Sequence, residues 1–569
     1  MRKILLRLTL VWLSLAVVTH VSIAAEISPE VLTRIASRLP DEKVPVIIEM
    51  ADQVNLPEVA AGNLAAKKPQ LLRLLRQKAS ASQKDLKALL KAVGAEKIIP
   101  FWVFNGISAR VPADHIEKIA QLPEIRQIRM ERVFTLQVTD TVGNGIPEWN
   151  IEAVRAPELW AMGFTGQGVV VANMDSGVDV SHPDLIAGWR GGTNSWFDAF
   201  DTTTTEPRDG NGHGTATMSL MVGGDAGGTV IGVAPGAQWI AARVFDDRGN
   251  ATTTSIHQGF QWLLDPDDNP DTHDYPDVVN NSWSIERVDQ CDTEFEPDVQ
   301  ALKTLGIAVV FSAGNYGPDL ATSVSPANYP DSFAVGAVDD SFLIAPFSSR
   351  GPTACPPENL VPRCRPGSKC PPTDVFPHVV APGTSNGPLF FGVKTAYLSN
   401  SYLYREGTSF AAPHVAGAMA LMIDAFPTIT VTELEKAIQR GAVDLGDLGP
   451  DDIYGSGLLD TVLAHVDIRC PKGGRDRDRD GIPDICDNCK KIPNERQRDT
   501  DGDGYGNFCD PDLNNDLVVN LIDFGMFRSV YGTANPDADF DGNGTVDLVD
   551  FGIFRRFYGR PPGPSGLVP

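Results

Sequence analysis

Continuous apolar runs separated by glycine-marked turns dominate the middle of the chain. The runs at 169–172 and 307–311 are rich in β-branched residues and carry no charge, a pattern typical of strands buried in a parallel sheet. Two stretches of small, mostly apolar residues, 216–222 and 411–423, are typical of buried helices. This alternation predicts an α/β fold with a doubly wound, mostly parallel sheet.

A different pattern occupies residues 26–140, directly before this region. Its predicted elements are strands at 44–50, 101–111 and 125–133, and helices at 68–92 and 112–121. This order predicts a separate α+β domain. An independent binding domain is one interpretation of it, and a segment that serves the following domain is the other.

The first 25 residues have the pattern of a secretory signal peptide. Arg2, Lys3 and Arg7 form a basic start, an apolar core follows at 8–18, and small residues near Ala24 suit a signal peptidase. A membrane anchor is the weaker interpretation, because the apolar run is short. We therefore expect a secreted protein without a membrane span.

The net charge of −25 and the sequence pI near 4.7 argue against a nucleic-acid partner, since phosphate requires a basic face. Much of the acidity lies in repeated aspartates near the C-terminus, which favours calcium as the counter-charge. Eight cysteines form two even groups, which suits disulfides in an oxidising compartment and leaves the pairing open. Cys291, Cys355, Cys364 and Cys370 form the first group, and Cys470, Cys486, Cys489 and Cys509 the second.

Three segments far apart in sequence each place one chemically suited side chain on a glycine-marked turn. They are Asp175 in Asp-Ser-Gly, His213 in Gly-His-Gly-Thr, and Ser409 in Gly-Thr-Ser. A serine hydroxyl becomes a nucleophile when an imidazole takes its proton, and a carboxylate fixes the tautomer of that imidazole. The order Asp, His, Ser and the flanking strands and helices together favour a catalytic triad over three unrelated turns.

Residues 149–464 therefore resemble the subtilisin-like serine proteases. The resemblance implies that Asn315, which follows the buried run at 307–311, donates a hydrogen bond to the oxyanion, with the Ser409 N–H as a second donor. It also implies that Ser282, Trp283, Ser284 and Gly314 line the substrate groove. Where many relatives have glycine after the tryptophan this chain has Ser284, which leaves the substrate preference open.

The same resemblance implies that residues 26–140 are an inhibitor-like propeptide, which assists folding and then occupies the groove. We expect cleavage between Val138 and Glu148, a polar, glycine-containing stretch.

Four aspartate-rich loops follow the protease region, with oxygen ligands at alternate positions as in EF-hand loops. The first contains Asp476, Asp478, Asp480, Asp484 and Asp487, the second Asp499, Asp501, Asp503, Asn507 and Asp510, the third Asp512, Asn514, Asp516, Asn520 and Asp523, and the fourth Asp539, Asp541, Asn543, Asp547 and Asp550. Residues 470–511 resemble thrombospondin type 3 repeats, and the duplicated loops and apolar segments of 512–560 resemble a dockerin. Leu517 replaces the turn glycine in the third loop, which predicts weaker calcium binding there.

Together these patterns predict a secreted, zymogen-type serine endopeptidase that forms an acyl-enzyme on Ser409 and holds structural Ca²⁺. Its expected partners are peptide substrates, its own propeptide, and a cohesin-like or cell-surface partner of the C-terminal module. The alternative is a calcium-dependent matrix-binding protein with a vestigial protease domain.

Overall fold

The computed structural model describes residues 25–37, 42–56, 68–136, 139–141, 148–355, 375–386, 392–470, 474–501 and 503–567. The predicted signal peptide, the cysteines at 364 and 370, and most of the predicted cleavage segment lie outside these ranges. The chain divides into two compact units, one of 1–53 with 77–131 and one of 54–76 with 132–569. Within the described residues no helix is long and apolar enough to cross a membrane.

The smaller unit is a five-stranded sheet with helices, in the order β1-β5-β2-β4-β3. Its strands are β1 (Glu26–Ile27), β2 (Lys43–Met50), β3 (Glu96–Phe101), β4 (Gly106–Pro112) and β5 (Ile125–Met130). Its helices are α1 (Pro29–Ala36), α3 (Lys84–Ala92) and α4 (Ala113–Ile119), and α2 (Lys68–Ser82) is shared with the larger unit. Apolar side chains such as Val46, Ile107 and Ile116 form its core.

The structure corrects one predicted strand of this unit. The residues predicted as one strand at 101–111 belong to two, β3 and β4, which pair antiparallel across a tight turn. Asn105 has a φ of +43°, in the left-handed region that asparagine adopts more readily than most residues. A side chain at Gly106 would lie 2.3 Å from the Phe104 ring, so the turn requires glycine there.

The larger unit contains a seven-stranded sheet in the order β15-β14-β13-β12-β8-β10-β9. Its strands are β8 (Val170–Asp175), β9 (Trp196–Asp198), β10 (Gln238–Arg243), β12 (Val278–Asn281), β13 (Ala308–Ser312), β14 (Phe333–Val338) and β15 (Val379–Pro382). Every neighbouring pair is parallel, which confirms the predicted fold class. The strand order reverses beside β8, and in open parallel sheets a crevice forms at the carboxyl ends where that happens.

Helices cover the sheet and complete its core. They are α5 (Trp149–Ala153), α6 (Ala156–Ala161), α7 (His213–Val222), α8 (Thr253–Leu264), α9 (Glu296–Thr304), α10 (Thr408–Ala425), α11 (Val431–Arg440) and α12 (Thr461–Arg469). All residues of α7 are buried, as is nearly the whole of α10, which confirms the two helices predicted from apolar composition.

Two small sheets flank the carboxyl edge of the large sheet. Strand β6 (Val133–Thr135) pairs antiparallel with β11 (Asn250–Thr252), and β7 (Thr139–Thr141) pairs antiparallel with β17 (Ser401–Glu406). Strand β16 (Val393–Tyr397) completes the second of these sheets.

The C-terminal residues of the larger unit pack around aromatic side chains and disulfides. Helices α13 (Leu521–Val530) and α14 (Leu548–Phe557) bring Phe527 and Phe554 together, with ring centroids 5.7 Å apart. The described disulfides are Cys291–Cys355, Cys470–Cys486 and Cys489–Cys509, so these cysteines pair within their predicted groups.

One arginine connects the helices beside the large sheet with the segment between the first two aspartate loops. Arg155 lies 3.0 Å from Asp460 and 2.6 Å from Glu158. The same guanidinium donates to the backbone carbonyls of Arg496 and Gln497.

Candidate active site and calcium loops

Asp175 and His213 form a buried hydrogen-bonded pair. Asp175 ends β8, and His213 begins α7, so the two side chains meet at the carboxyl edge of the sheet. Nδ1 of His213 lies 2.9 Å from both carboxylate oxygens of Asp175, and both residues are at least 99% buried. This contact fixes the Nδ1–H tautomer and leaves Nε2 as the basic nitrogen.

The turn that presents the imidazole is organised by Asp209, which sequence reasoning missed. Oδ1 of Asp209 accepts from the backbone N–H groups of Asn211 and Gly212, at 2.9 and 2.8 Å. Oδ2 accepts from the N–H and hydroxyl of Thr215, at 3.0 and 2.7 Å, and the Ser176 hydroxyl adds a bond to Oδ1 at 3.1 Å. An aspartate two residues before an Asn-Gly pair is a turn signal that would have identified it.

Ser409 begins the buried helix α10 and faces β12. Its hydroxyl donates to the Ser282 carbonyl at 3.2 Å, and the Ser282 hydroxyl donates to the Ser409 carbonyl at 2.7 Å. Within the described residues Nε2 of His213 has no hydrogen-bond partner, so the structure forms no Ser409–His213 hydrogen bond. The Phe410 ring, next to Ser409, lies 5.6 Å from the imidazole between centroids.

A chain of buried hydrogen bonds joins these two helices through the sheet. Nδ2 of Asn173 donates to the carbonyl of Gly214 at 2.9 Å, and Nδ2 of Asn280 donates to Asn173 Oδ1 at 3.0 Å. Asn280 also donates to the Ser282 hydroxyl at 3.0 Å, and so reaches Ser409. Asparagines inside otherwise apolar strands were the sequence signal for this network, because buried amides require partners.

Asn315 lies next to the start of α10. Its Oδ1 accepts from the N–H and the hydroxyl of Thr408, both at 2.9 Å. This pairing fixes the orientation of the amide and leaves Nδ2 as the donor beside Ser409. The N–H of Ser409 belongs to the first turn of a helix, where backbone donors have no intrahelical partner.

The predicted groove residues line a cavity together with Ser409 and Asn315. Ser282, Trp283, Ser284 and Gly314 all contribute to its wall. The indole of Trp283, however, is 96% buried and donates to the Met174 carbonyl at 3.1 Å, so this side chain belongs to the core beneath the groove. Glu286 and Tyr316 also line the cavity and were not predicted.

Three of the aspartate loops gather carboxylates at ion-binding distance. In each, three carboxylate oxygens lie within 4.8 Å of one another; the sets are Asp476, Asp478 and Asp480, then Asp499, Asp501 and Asp503, then Asp539, Asp541 and Asp550. The turn glycines Gly481, Gly504 and Gly544 have φ between +89° and +93°. These oxygen-only sets fit calcium, which takes six to eight oxygen ligands.

The remaining predicted ligands have other contacts in this structure. Asn520 and Asp547 are N-caps of α13 and α14, bonded to backbone N–H groups at 2.8 and 2.7 Å. Leu517 occupies the turn position of the third loop with a φ of +67°, which is strained for a residue with a side chain. Burial and a neighbouring Asp503 raise the pKa of Asp510 to about 9.

Comparisons with known proteins match two parts of this chain. The profile of the subtilase family matches residues 166–457, and that of the thrombospondin type 3 repeat matches 470–497 and 498–524. The chain is 31% identical to bacillopeptidase F of Bacillus subtilis over 490 residues, covering 75% of this chain and 32% of that protein. It is 28% identical to subtilisin E of Bacillus subtilis, over 72% of this chain and 93% of that protein. It is 31% identical to a subtilisin of Bacillus pumilus, over 56% of this chain and 98% of that protein. The chain thus spans about a third of bacillopeptidase F and nearly the full length of the two subtilisins.

Proposed function

The chain belongs to the subtilase family of serine proteases, and from that premise we propose that it is a secreted, zymogen-type serine endopeptidase. The proposed nucleophile is Ser409, the proposed base is His213, and Asp175 holds the imidazole. Secretion is supported by the N-terminal sequence pattern and by the disulfides among the described cysteines.

In the proposed reaction the Ser409 hydroxyl turns from the Ser282 carbonyl to Nε2 of His213. Nε2 takes the hydroxyl proton while Oγ attacks the scissile carbonyl, and Asp175 stabilises the imidazolium that results. Nδ2 of Asn315 and the N–H of Ser409 donate to the oxyanion. His213 then gives its proton to the leaving amine, and the acyl-enzyme forms. In the second half of the reaction His213 takes a proton from the attacking water and returns it to the Ser409 oxygen as the acyl bond breaks.

The carrying observation is the contact of His213 Nδ1 with both carboxylate oxygens of Asp175. Buried hydrogen bonds through Asn173 and Asn280 also join the helix of His213 to Ser282 and Ser409. The test compares wild type with Ser409→Ala for casein hydrolysis and for labelling by an active-site-directed fluorophosphonate. Wild type should clear casein and become labelled at Ser409, and the alanine variant should do neither. Casein hydrolysis by the alanine variant would contradict Ser409 as the nucleophile. A wild type that neither labels nor cleaves would support the vestigial alternative.

We propose further that the propeptide predicted at residues 26–140 ends at or shortly before Thr139, and that its strand β6 lies in the groove as a substrate would. Strand β6 pairs with β11, the Leu136 N–H donates to the Gly249 carbonyl at 2.8 Å, and Thr135 and Leu136 line the cavity that contains Ser409. On the other side, β7 pairs with β17, with Thr139 opposite Glu406.

This arrangement supports self-cleavage at one of the peptide bonds between Leu136 and Thr139. N-terminal sequencing of the mature enzyme should then find Gln137, Val138 or Thr139 as the first residue. A first residue beyond Thr141 would contradict this register and would agree with a cut nearer Glu148.

The C-terminal loops are proposed to hold structural Ca²⁺. The module at 512–560 is proposed to attach the enzyme to a cohesin-like or cell-surface partner. In support, the duplicated helices α13 and α14 expose matching apolar pairs: Leu521 and Ile522 are 70% and 59% exposed, and Leu548 and Val549 are 74% and 54% exposed.

A further inference from the structure

An acidic loop connects α8 to β12 and lies outside the four aspartate loops of the C-terminal region. It comprises residues 265–277 and contains six aspartates. Asp265, Asp267 and Asp274 each bring one carboxylate oxygen within 4.8 Å of the other two. Three like charges at this spacing repel one another unless a cation lies among them.

Two of these carboxylates have oxygens with no compensating donor. Asp265 and Asp274 are 5% and 7% exposed, and Oδ1 of each accepts no hydrogen bond from the described residues. Buried polar atoms are almost always paired, so these two oxygens are available to a cation that binds in the cluster. A set of carboxylate oxygens without nitrogen or sulfur donors fits calcium.

The precursor supplies positive charge to this loop from α2. Nη2 of Arg76 lies 2.7 Å from Oδ2 of Asp265 and 2.6 Å from Asp268. Nearer the start of the helix, Arg73 forms an ion pair with Asp271. Arg76 is therefore the basic side chain of α2 that reaches the carboxylate cluster, whereas Arg73 contacts the loop outside it.

We propose that Asp265, Asp267 and Asp274 form a calcium site of the mature enzyme, and that the guanidinium of Arg76 takes the place of the ion in the precursor. Removal of the pro-segment takes Arg76 away and leaves the Asp265 carboxylate, beside Asp267 and Asp274, without its cationic partner. Calcium then binds and stabilises the mature form by mass action. This inference rests on the proposed maturation step.

The test uses the full-length Ser409→Ala chain, which keeps its pro-segment whether or not the proposed catalysis is correct. Bound calcium per chain is measured by elemental analysis after dialysis against low free calcium, for this parent and for the same chain with Arg76→Ala. We expect one additional ion with Arg76→Ala, because the C-terminal loops contribute equally to both. Adding Asp274→Asn should remove that ion again.

Arg73→Ala is the matched control, because it deletes the same charge from the same helix without uncovering the cluster. Equal calcium content in the parent and the Arg76→Ala chain overturns the proposal, and so does an equal gain in the Arg73→Ala chain. If circular dichroism shows that Arg76→Ala does not fold, Arg76→Gln is measured instead and judged by the same outcomes. Fluorophosphonate labelling of wild type reports separately on the proposed protease function.

Discussion

Asp209 offers a sharp test of how the turn before α7 positions the imidazole. Replacing it by alanine removes all five hydrogen bonds that its carboxylate accepts from the turn. Replacing it by asparagine keeps one acceptor oxygen and converts the other into a donor, so the two bonds from Thr215 are lost. Hydrogen bonds to a charged acceptor contribute about 1.5–3 kcal/mol each, and water replaces part of this at a partly exposed site.

We therefore expect transition-state stabilisation to fall by about 2.7 kcal/mol with Asp209→Ala and by about 1.4 kcal/mol with Asp209→Asn. These losses correspond to decreases in kcat/KM of about 100-fold and about tenfold. The effect should fall on kcat, because the imidazole moves relative to the reacting carbonyl while the groove is unchanged. The assay is hydrolysis of a fluorogenic peptide, normalised by fluorophosphonate titration of active sites.

Asp201→Ala is the control, because among the described residues that exposed carboxylate accepts hydrogen bonds only within its own turn, from Thr203. Activity of Asp209→Ala within twofold of wild type would refute the reasoning. An asparagine variant as inactive as the alanine variant would show that the charge acts, and not the number of bonds.

Three further predictions follow from the described contacts. Asn315→Ala should lower kcat by about 100- to 1000-fold with little change in KM, because the Asn315 amide bonds to the substrate oxygen only as negative charge develops on it. If the amide bound the ground-state substrate instead, steady-state kinetics would show an equal rise in KM. Leu517→Gly should relieve about 1 kcal/mol of left-handed backbone strain and raise the calcium affinity of the third loop about fivefold. An unchanged affinity in calorimetric titration would contradict this. The pKa of the Asp510 carboxyl is about 9 in the folded chain, against 3.8 for an unfolded one. The protonated carboxyl therefore contributes its full stabilisation of the fold below about pH 4, and this contribution is lost as pH rises towards 9. In chelator the C-terminal module should therefore melt at lower temperature at about pH 8 than at about pH 5, whereas a higher melting temperature at the upper pH would exclude a dominant role for Asp510.

Sequence patterns were sufficient for the main sheet and for the strand or helix end on which each candidate catalytic residue lies. Strand and helix ends are local events, and the apolar runs before Asp175 and Asn315 mark them directly. The turn glycines mark the calcium loops in the same way, because a left-handed φ is a property of one residue.

Contacts between remote segments were not predictable in this way. The hydrogen bonds that Asn280 donates to Asn173 and to the Ser282 hydroxyl depend on which strands become neighbours. The same applies to Asp265 and Asp274, whose spacing does not follow the loop pattern of the C-terminal repeats. Only folding brings these carboxylates together.

Arg155 gives the repeats a route to influence the enzyme. Its guanidinium bonds to two carboxylates of the protease region and to the two backbone carbonyls at 496–497. A shift of the repeats therefore alters the contacts of Arg155, which precedes helix α6, and α6 packs on the core. Chelation in the repeats would then shorten the lifetime of proteolytic activity at elevated temperature even with every catalytic group intact. The calcium concentration would in that case set how long the enzyme stays active.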